Sequence, residues 1–439
     1  MNWTADAVLA LAPDASSAKA ARGLVSPAKW PLLGADTSAV WGECQGSGSK
    51  PYQAQVDLNG PAFRCTCPSR KFPCKHGLAL MLLRASDPAR FGAGPPPAWV
   101  SEWLASRTQK AEKKEQKAQA TAAPADPQAA AQRAAQRWAR MAHAAGELRP
   151  WLRDQVARGL GVLGAGQQQD WKTMAARLVD MQVPGLAQRL SEAGELVGSG
   201  ADWPERVLHA LGLLQLACEA LERHAALSPA MRAELRVVLG WPFDKAEVLA
   251  EGETVCDDWL VIGQATEERD KLTERRVWLQ GLRSGRRALV LDHAFVGKGF
   301  EQSWLTGHAS DASLAYFPGA GALRALVQEL HGAPKPVAPP ASALEDEWMH
   351  VARRAAASPW VPLHPMLVGD AVFGREGEHW QVQAGGQRLP VAVSEEDGWP
   401  LLAHGGGKPL QVMGEWNGAA LRVLSAWNAE GAWQRGAAA

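Results

Sequence analysis

Three cysteines and a histidine fall within twelve residues in "FRCTCPSRKFPCKHGLALMLL", as Cys65-x-Cys67, a six-residue spacer and Cys74-x-His76. Thiolate sulfur and imidazole nitrogen are donors that a tetrahedral zinc ion prefers, and Cys3His is one of its common structural sets. Alternate residues of an extended strand face the same way, so Cys65 and Cys67 can point at one ion with Phe63 beneath them. Pro68 and Pro73 bracket a loop long enough to return Cys74 and His76 to it. His76 then opens an apolar helix whose Leu78, Met81 and Leu82 would anchor the module. Four protein donors fill the coordination sphere, so one such ion would be structural rather than catalytic. A redox pair at Cys65 and Cys67 would leave Cys74 and His76 without a role. Unrelated cysteines gathered here by chance would leave reactive thiols exposed.

A module of this kind occupies little of 439 residues, a length that accommodates two or three domains at roughly 100 to 200 residues each. Short alternating runs with Gly/Ser and Asn-Gly turns, from residue 38 to the cysteines, predict a small antiparallel meander, and "GLALMLLRAS" predicts the helix that follows it. Residues 1–90 form the N-terminal module on this reading. Composition then shifts to Pro, Ala, Lys, Glu and Gln, which predicts a linker with little core over 91–132. Apolar residues at steps of four and three, such as Met174, Leu178 and Met181, predict a helical bundle over 133–245. From 246 to 439 shorter periods predict a mostly β region, divided by a Pro-rich break near 332–342 and one helix over 341–357. "LRSGRR" reads as a hairpin turn; no fixed-period repeat is present, and a relation between the two β stretches stays open. The fold class is thus α+β and multidomain: a zinc-stabilised hairpin and helix, a bundle, and a mostly β C-terminal region.

Lys+Arg and Asp+Glu are both 46, so the chain lacks the global basic charge of a general nucleic-acid coat. Locally the balance differs. Between residues 61 and 90 six cations face the single acid Asp87, and Arg64, Arg70, Lys71 and Lys75 are the candidate contacts for phosphate or a protein partner. Cys44, Cys218 and Cys256 are scattered rather than paired, as in a reducing, cytoplasmic setting. The N-terminus reads as helix rather than a signal peptide, and no apolar run approaches the ~18 residues that span a bilayer. The twenty tryptophans, spread from Trp3 to Trp433, read as core and interface anchors of several domains.

The run "CTCPSRKFPCKHGLAL" resembles the SWIM zinc finger, whose pattern is CxC, a short spacer, then CxH entering a helix. All four ligand positions match, so the resemblance assigns Cys65, Cys67, Cys74 and His76 as ligands of one Zn2+; it covers about residues 36–85. SWIM modules occur in bacterial proteins, chromatin-remodelling-type ATPases and transposase-related proteins, and the resemblance implies binding to DNA or to other proteins. The layout of finger, low-complexity linker and Trp-rich region is also similar to that of bacterial SWIM-family proteins. Some of these are encoded near MoxR-type AAA ATPases and von Willebrand A proteins, which implies a partner of that kind and an assembly context.

"GAGPPP", "GVLGAG" and "PGAGAL" lack the Gly-Lys-Ser/Thr of a phosphate loop, and "FVGKGF" has the wrong surroundings for one. HExxH and GxSxG are absent. In "VCDDW" Cys256 adjoins paired carboxylates, which read as turn or cap residues, and His209 and His224 lie on bundle helices without a ligand set. The sequence therefore favours a non-enzymatic, zinc-containing binding protein with a C-terminal scaffold. An enzyme within 133–439, with the finger as recruiter, is the alternative.

Overall fold

A computed structural model describes residues 3–436 apart from 10, 13–14, 47–49, 59–61, 70, 122–126, 164–167, 270–271, 296–299, 301, 322 and 333. Candidate contact Arg70, and parts of the glycine-rich runs near 164 and 297, lie outside the described residues.

Helices α1 (Ala5–Leu9) and α2 (Ala15–Arg22) precede strands β1 (Leu32–Ala35), β2 (Ala39–Cys44), β3 (Tyr52–Asp57) and β4 (Ala62–Cys65), an antiparallel sheet in chain order. The meander thus begins one strand earlier than residue 38, because Leu32–Ala35 pairs along β2 from Glu43 to Val40. Helix α3 (Lys75–Ser86) lies between this sheet and the first two helices. That sandwich buries His76–Leu83 on every side, so this short helix carries an uninterrupted apolar run.

Helix α4 (Ala98–Thr121) occupies much of the stretch expected to be a core-free linker. Its first turns differ from that expectation. Val100 is fully buried against Ala39 and Trp41, Trp103 is buried too, and Arg107 pairs with Asp57 at 3.0 Å. The apolar spacing of Trp99, Val100, Trp103 and Leu104 is one helical face, masked by the Lys/Glu/Gln composition beyond it.

Helices α5 (Pro127–Arg158), α6 (Gln168–Asp180), α7 (Pro184–Glu195), α8 (Trp203–Glu222) and α9 (Pro229–Val238) share one core. On α8 the buried positions Val207, Leu211, Leu214, Cys218 and Leu221 recur at alternating steps of four and three, the seam of a packed bundle.

The C-terminal region repeats one strand order twice. After α10 (Lys245–Glu251), strands β5 (Thr254–Arg269), β6 (Leu272–Gly281), β7 (Arg287–Phe295), β8 (His308–Tyr316) and β9 (Ala325–Leu330) run β7-β6-β5-β8-β9, and β10 (Lys335–Pro336) also borders β8. After α11 (Leu344–Ala357), strands β11 (His364–Glu376), β12 (His379–Ala384), β13 (Gln387–Pro390), β14 (Leu410–Trp416) and β15 (Leu421–Asn428) run β13-β12-β11-β14-β15, with β16 (Gly431–Gln434) at the edge. In both, a three-stranded meander is joined by a fourth strand on the far side of the first. The second unit inserts α12 (Glu395–Gly405) before its fourth strand, in a region where the helix over 341–357 was the one expected. Ser394 caps this helix by accepting from Asp397 N at 3.2 Å, and Gly406, at φ 54°, ends it.

The two units meet through Leu260, Ile262, Trp278, Leu367, Met413 and Leu424. Two buried ion pairs cross the junction. Glu415, fully buried, accepts from Arg276 Nε at 2.8 Å, Arg276 Nη2 at 3.2 Å and Trp278 Nε1 at 2.8 Å. Glu347, also fully buried, takes both Nη groups of Arg287, which further donates to Pro365 O at 2.8 Å. Burial works to raise the Glu347 carboxyl, but the Arg287 pair prevails and holds it below its ordinary value. Glu415→Ala leaves Arg276 with its rim acids alone and the buried Trp278 N–H without its acceptor, and should cost about 3–5 kcal/mol in urea denaturation.

At the rim of the junction Glu267 accepts from Arg276 and Arg422 at 2.7 and 2.6 Å. The hydrogen bond from Arg276, joined by that from Arg422, outweighs burial and brings the Glu267 carboxyl down to about 2 from 4.5. A depressed carboxyl contributes stability that is complete above its unfolded value and lost as pH falls through the folded one. The melting temperature should therefore begin to fall near pH 4.5 on the way toward pH 2, and Glu267→Gln should flatten that decline.

Candidate metal centre

The site is built where β4 runs out and α3 begins. Across β3 and β4 the pairs Val56↔Phe63 and Ala54↔Cys65 place Phe63 and Cys65 on the inner face, toward α3. Cys67 follows two residues on, and Cys74 is the N-cap residue of α3. His76, in the first turn, is 4% exposed. Gly77 is required beside it, because a Cβ there would lie 2.9 Å from Phe63 Cδ1. Leu78, Met81 and Leu82 are buried in the core beneath, as the sequence reading expects.

One ligand atom from each of Cys65, Cys67, Cys74 and His76 lies within 4.8 Å of all the others. Tetrahedral donors at zinc–ligand distances near 2.0–2.3 Å stand about 3.6–3.8 Å apart. Cys65 Sγ and His76 Nδ1 are separated by 3.8 Å, which matches one edge of that figure. The sulfurs interact strongly. Cys67 is driven far down because Cys65 and Cys74 donate to it; Cys65 is driven up, first by its bond to Cys67, then by Cys74 and burial. Three thiols in such contact ionise together only against a cation, which a zinc ion supplies. The donor set therefore fits one structural zinc ion, with no open position for substrate.

Sequence spacing does not reveal Tyr52. Its ring, from β3, packs on His76 with centroids 4.8 Å apart and fixes the imidazole from the side. Cys44 pairs with Tyr52 across the sheet but is fully buried, and burial raises its thiol; it is a core residue. The candidate contacts separate. Arg64 alternates with Cys65 and so leaves the strand on the opposite side; Lys71 is exposed in the metal loop, with Nζ 3.0 Å from Ser16 Oγ on α2; Lys75 is exposed at the first residue of α3.

Other residues singled out in the sequence lie apart from the metal centre. Asp257 accepts from Arg283 N at 3.0 Å and Ser284 N at 2.8 Å, so it caps the β6–β7 turn, as read from "VCDDW". His224 stacks on Trp138 at 4.8 Å, and His209 is exposed. Among the described residues, no other group of three or more His, Cys, Asp or Glu has metal-site geometry.

A closed Cys3His centre joining a β-hairpin to a helix defines a structural zinc-finger module. Residues 55–85 match the family model of the SWIM zinc finger, and residues 136–239 match that of the SWIM-associated four-helix bundle domain. The chain thus contains a SWIM zinc finger that precedes a SWIM-associated bundle. No curated protein and no solved structure matches it. Among the described residues no helix is long and apolar enough to cross a membrane.

The purified chain should carry about one zinc, measured by plasma mass spectrometry, and Cys74→Ser should release it. Hydrogen exchange over Leu78–Leu83 should then lose its protection, since metal-binding energy is folding energy in so small a module. Full protection in a metal-free protein would contradict the assignment.

Proposed function

We propose that this is a non-enzymatic, cytoplasmic binding protein whose SWIM finger engages duplex DNA, with the C-terminal units as its scaffold. One observation carries the choice of DNA. The acids around the finger, Asp57 and Asp87, are paired with Arg107 and Arg90 at 3.0 and 2.5 Å. Among the described residues Arg64 and Lys75 have no such ion pair, and Lys71 stands exposed in the loop held by the metal. A loop fixed at both ends by zinc presents these lysines with little ordering cost, as phosphate contacts require.

Each phosphate neutralised releases counterions, so affinity for duplex DNA should fall with log[salt] at a slope near −0.9 per contact. Lys71→Ala combined with Lys75→Ala should reduce that slope by about 2 while zinc content stays unchanged. Salt-independent or absent DNA binding by the wild type would overturn the reading. It would turn attention to a protein partner, for which the family resemblance offers a MoxR-type AAA ATPase with a von Willebrand A protein.

A further inference from the structure

A cleft of about 970 Å³ lies between the N-terminal module and the two C-terminal units. One wall is largely apolar, with Leu9, Leu11 and Ala12 beside Phe72 and Pro73 of the metal loop. The other wall is cationic. Arg275 of β6, Arg422 of β15 and Arg435 line it, and Lys19 and Arg22 of α2 overhang it from the opposite side. Asp397 is the one acid in the lining, and it lies 3.5 Å from Arg435 Nε.

The cations are incompletely matched from behind. Arg422 is met by Glu267, which it shares with Arg276. Arg275 is 9% exposed; its Nη2 donates to Asp292 Oδ2 and Gln302 O, both at 2.6 Å, while its buried Nε has no hydrogen-bond partner among the described residues. Lys19 and Arg22 are exposed, and neither side chain has a salt bridge or hydrogen-bonding partner among the described residues. Three of the five cations are backed by acids, Arg275 by Asp292, Arg422 by Glu267 and Arg435 by Asp397, so the charge left to match is that of Lys19 and Arg22, beside one unused buried guanidinium donor. Consistent with that, burial pulls the Arg275 guanidinium down, and burial together with neighbouring Arg422 does the same to Arg435.

We infer that this cleft binds a small phosphorylated ligand of the nucleotide class, its phosphates on Arg275, Arg422, Arg435, Lys19 and Arg22 and its ring on the apolar wall. Guanidinium forks match phosphate oxygens in pairs, which favours phosphate over a single carboxylate. The volume lies at the upper end of the ~300–1,000 Å³ typical of small-molecule sites, larger than an inorganic anion needs. An apolar wall facing a cationic one suits a ligand with a flat body and a charged tail. Such a ligand would touch the metal loop and both C-terminal units at once. This goes beyond the DNA reading, since Lys71 and Lys75 do not line the cleft.

The test is a fluorescence titration of the full-length zinc-loaded chain with mant-ADP. Binding should saturate, inorganic pyrophosphate should compete, and Lys19→Ala with Arg22→Ala should weaken it by about tenfold or more. Those two exposed residues leave the fold intact, and Arg435→Gln should weaken binding in the same direction. The Lys71→Ala/Lys75→Ala chain should keep full mant-ADP affinity, which separates this site from the finger's DNA contacts. Absence of saturable binding, equal affinity in the Lys19/Arg22 variant, or displacement by duplex DNA would overturn the inference. Binding of pyrophosphate without mant-ADP would overturn the nucleotide assignment.

Discussion

Three sulfurs and one ring nitrogen crowded within 4.8 Å would repel one another as thiolates, and a divalent cation removes that repulsion. The N-terminal module depends on this exchange. Its sheet is short, and the described residues between Cys67 and Cys74 form no regular element, so the metal substitutes for core there. Zinc also fixes where α3 starts, and α3 is the apolar rod around which β2–β4, α1 and α2 are assembled. The same loop supplies Phe72 and Pro73 to the cleft, so the metal constrains a surface beyond its own ligands.

What could be read from sequence follows the range of the interactions. The ligand set was legible because strand alternation and one loop bring it together within twelve residues. The bundle was legible because its seam is written at steps of four and three along single helices. Strand order in the C-terminal region was not, since pairing joins segments far apart in the chain and the alternating pattern does not name the partner. The Arg276–Glu415 pair, 139 residues apart, has no local signal at all.

Two misreadings have a common origin in averaging. Helix α4 hides four apolar residues in front of a charged run, and α12 hides a capped acidic start ahead of a glycine cluster. In each case the informative feature spans one or two turns, while composition is judged over a longer window. Neighbourhood misleads differently at the contact residues: Arg64 and Lys75 are close in sequence, yet the alternation that aims Cys65 at the metal turns Arg64 away.

The repeated strand order makes the two C-terminal units alike in outline, so exchange of units between two copies of the chain is the mispairing that the junction has to exclude. The buried ion pairs make that exchange selective. Both fully buried acids, Glu347 and Glu415, belong to the second unit, and the arginines that meet them, Arg276 and Arg287, belong to the first. Two first units brought together would bury cation against cation, and two second units acid against acid. Sign asymmetry across the junction thus tells each half which unit is its mate.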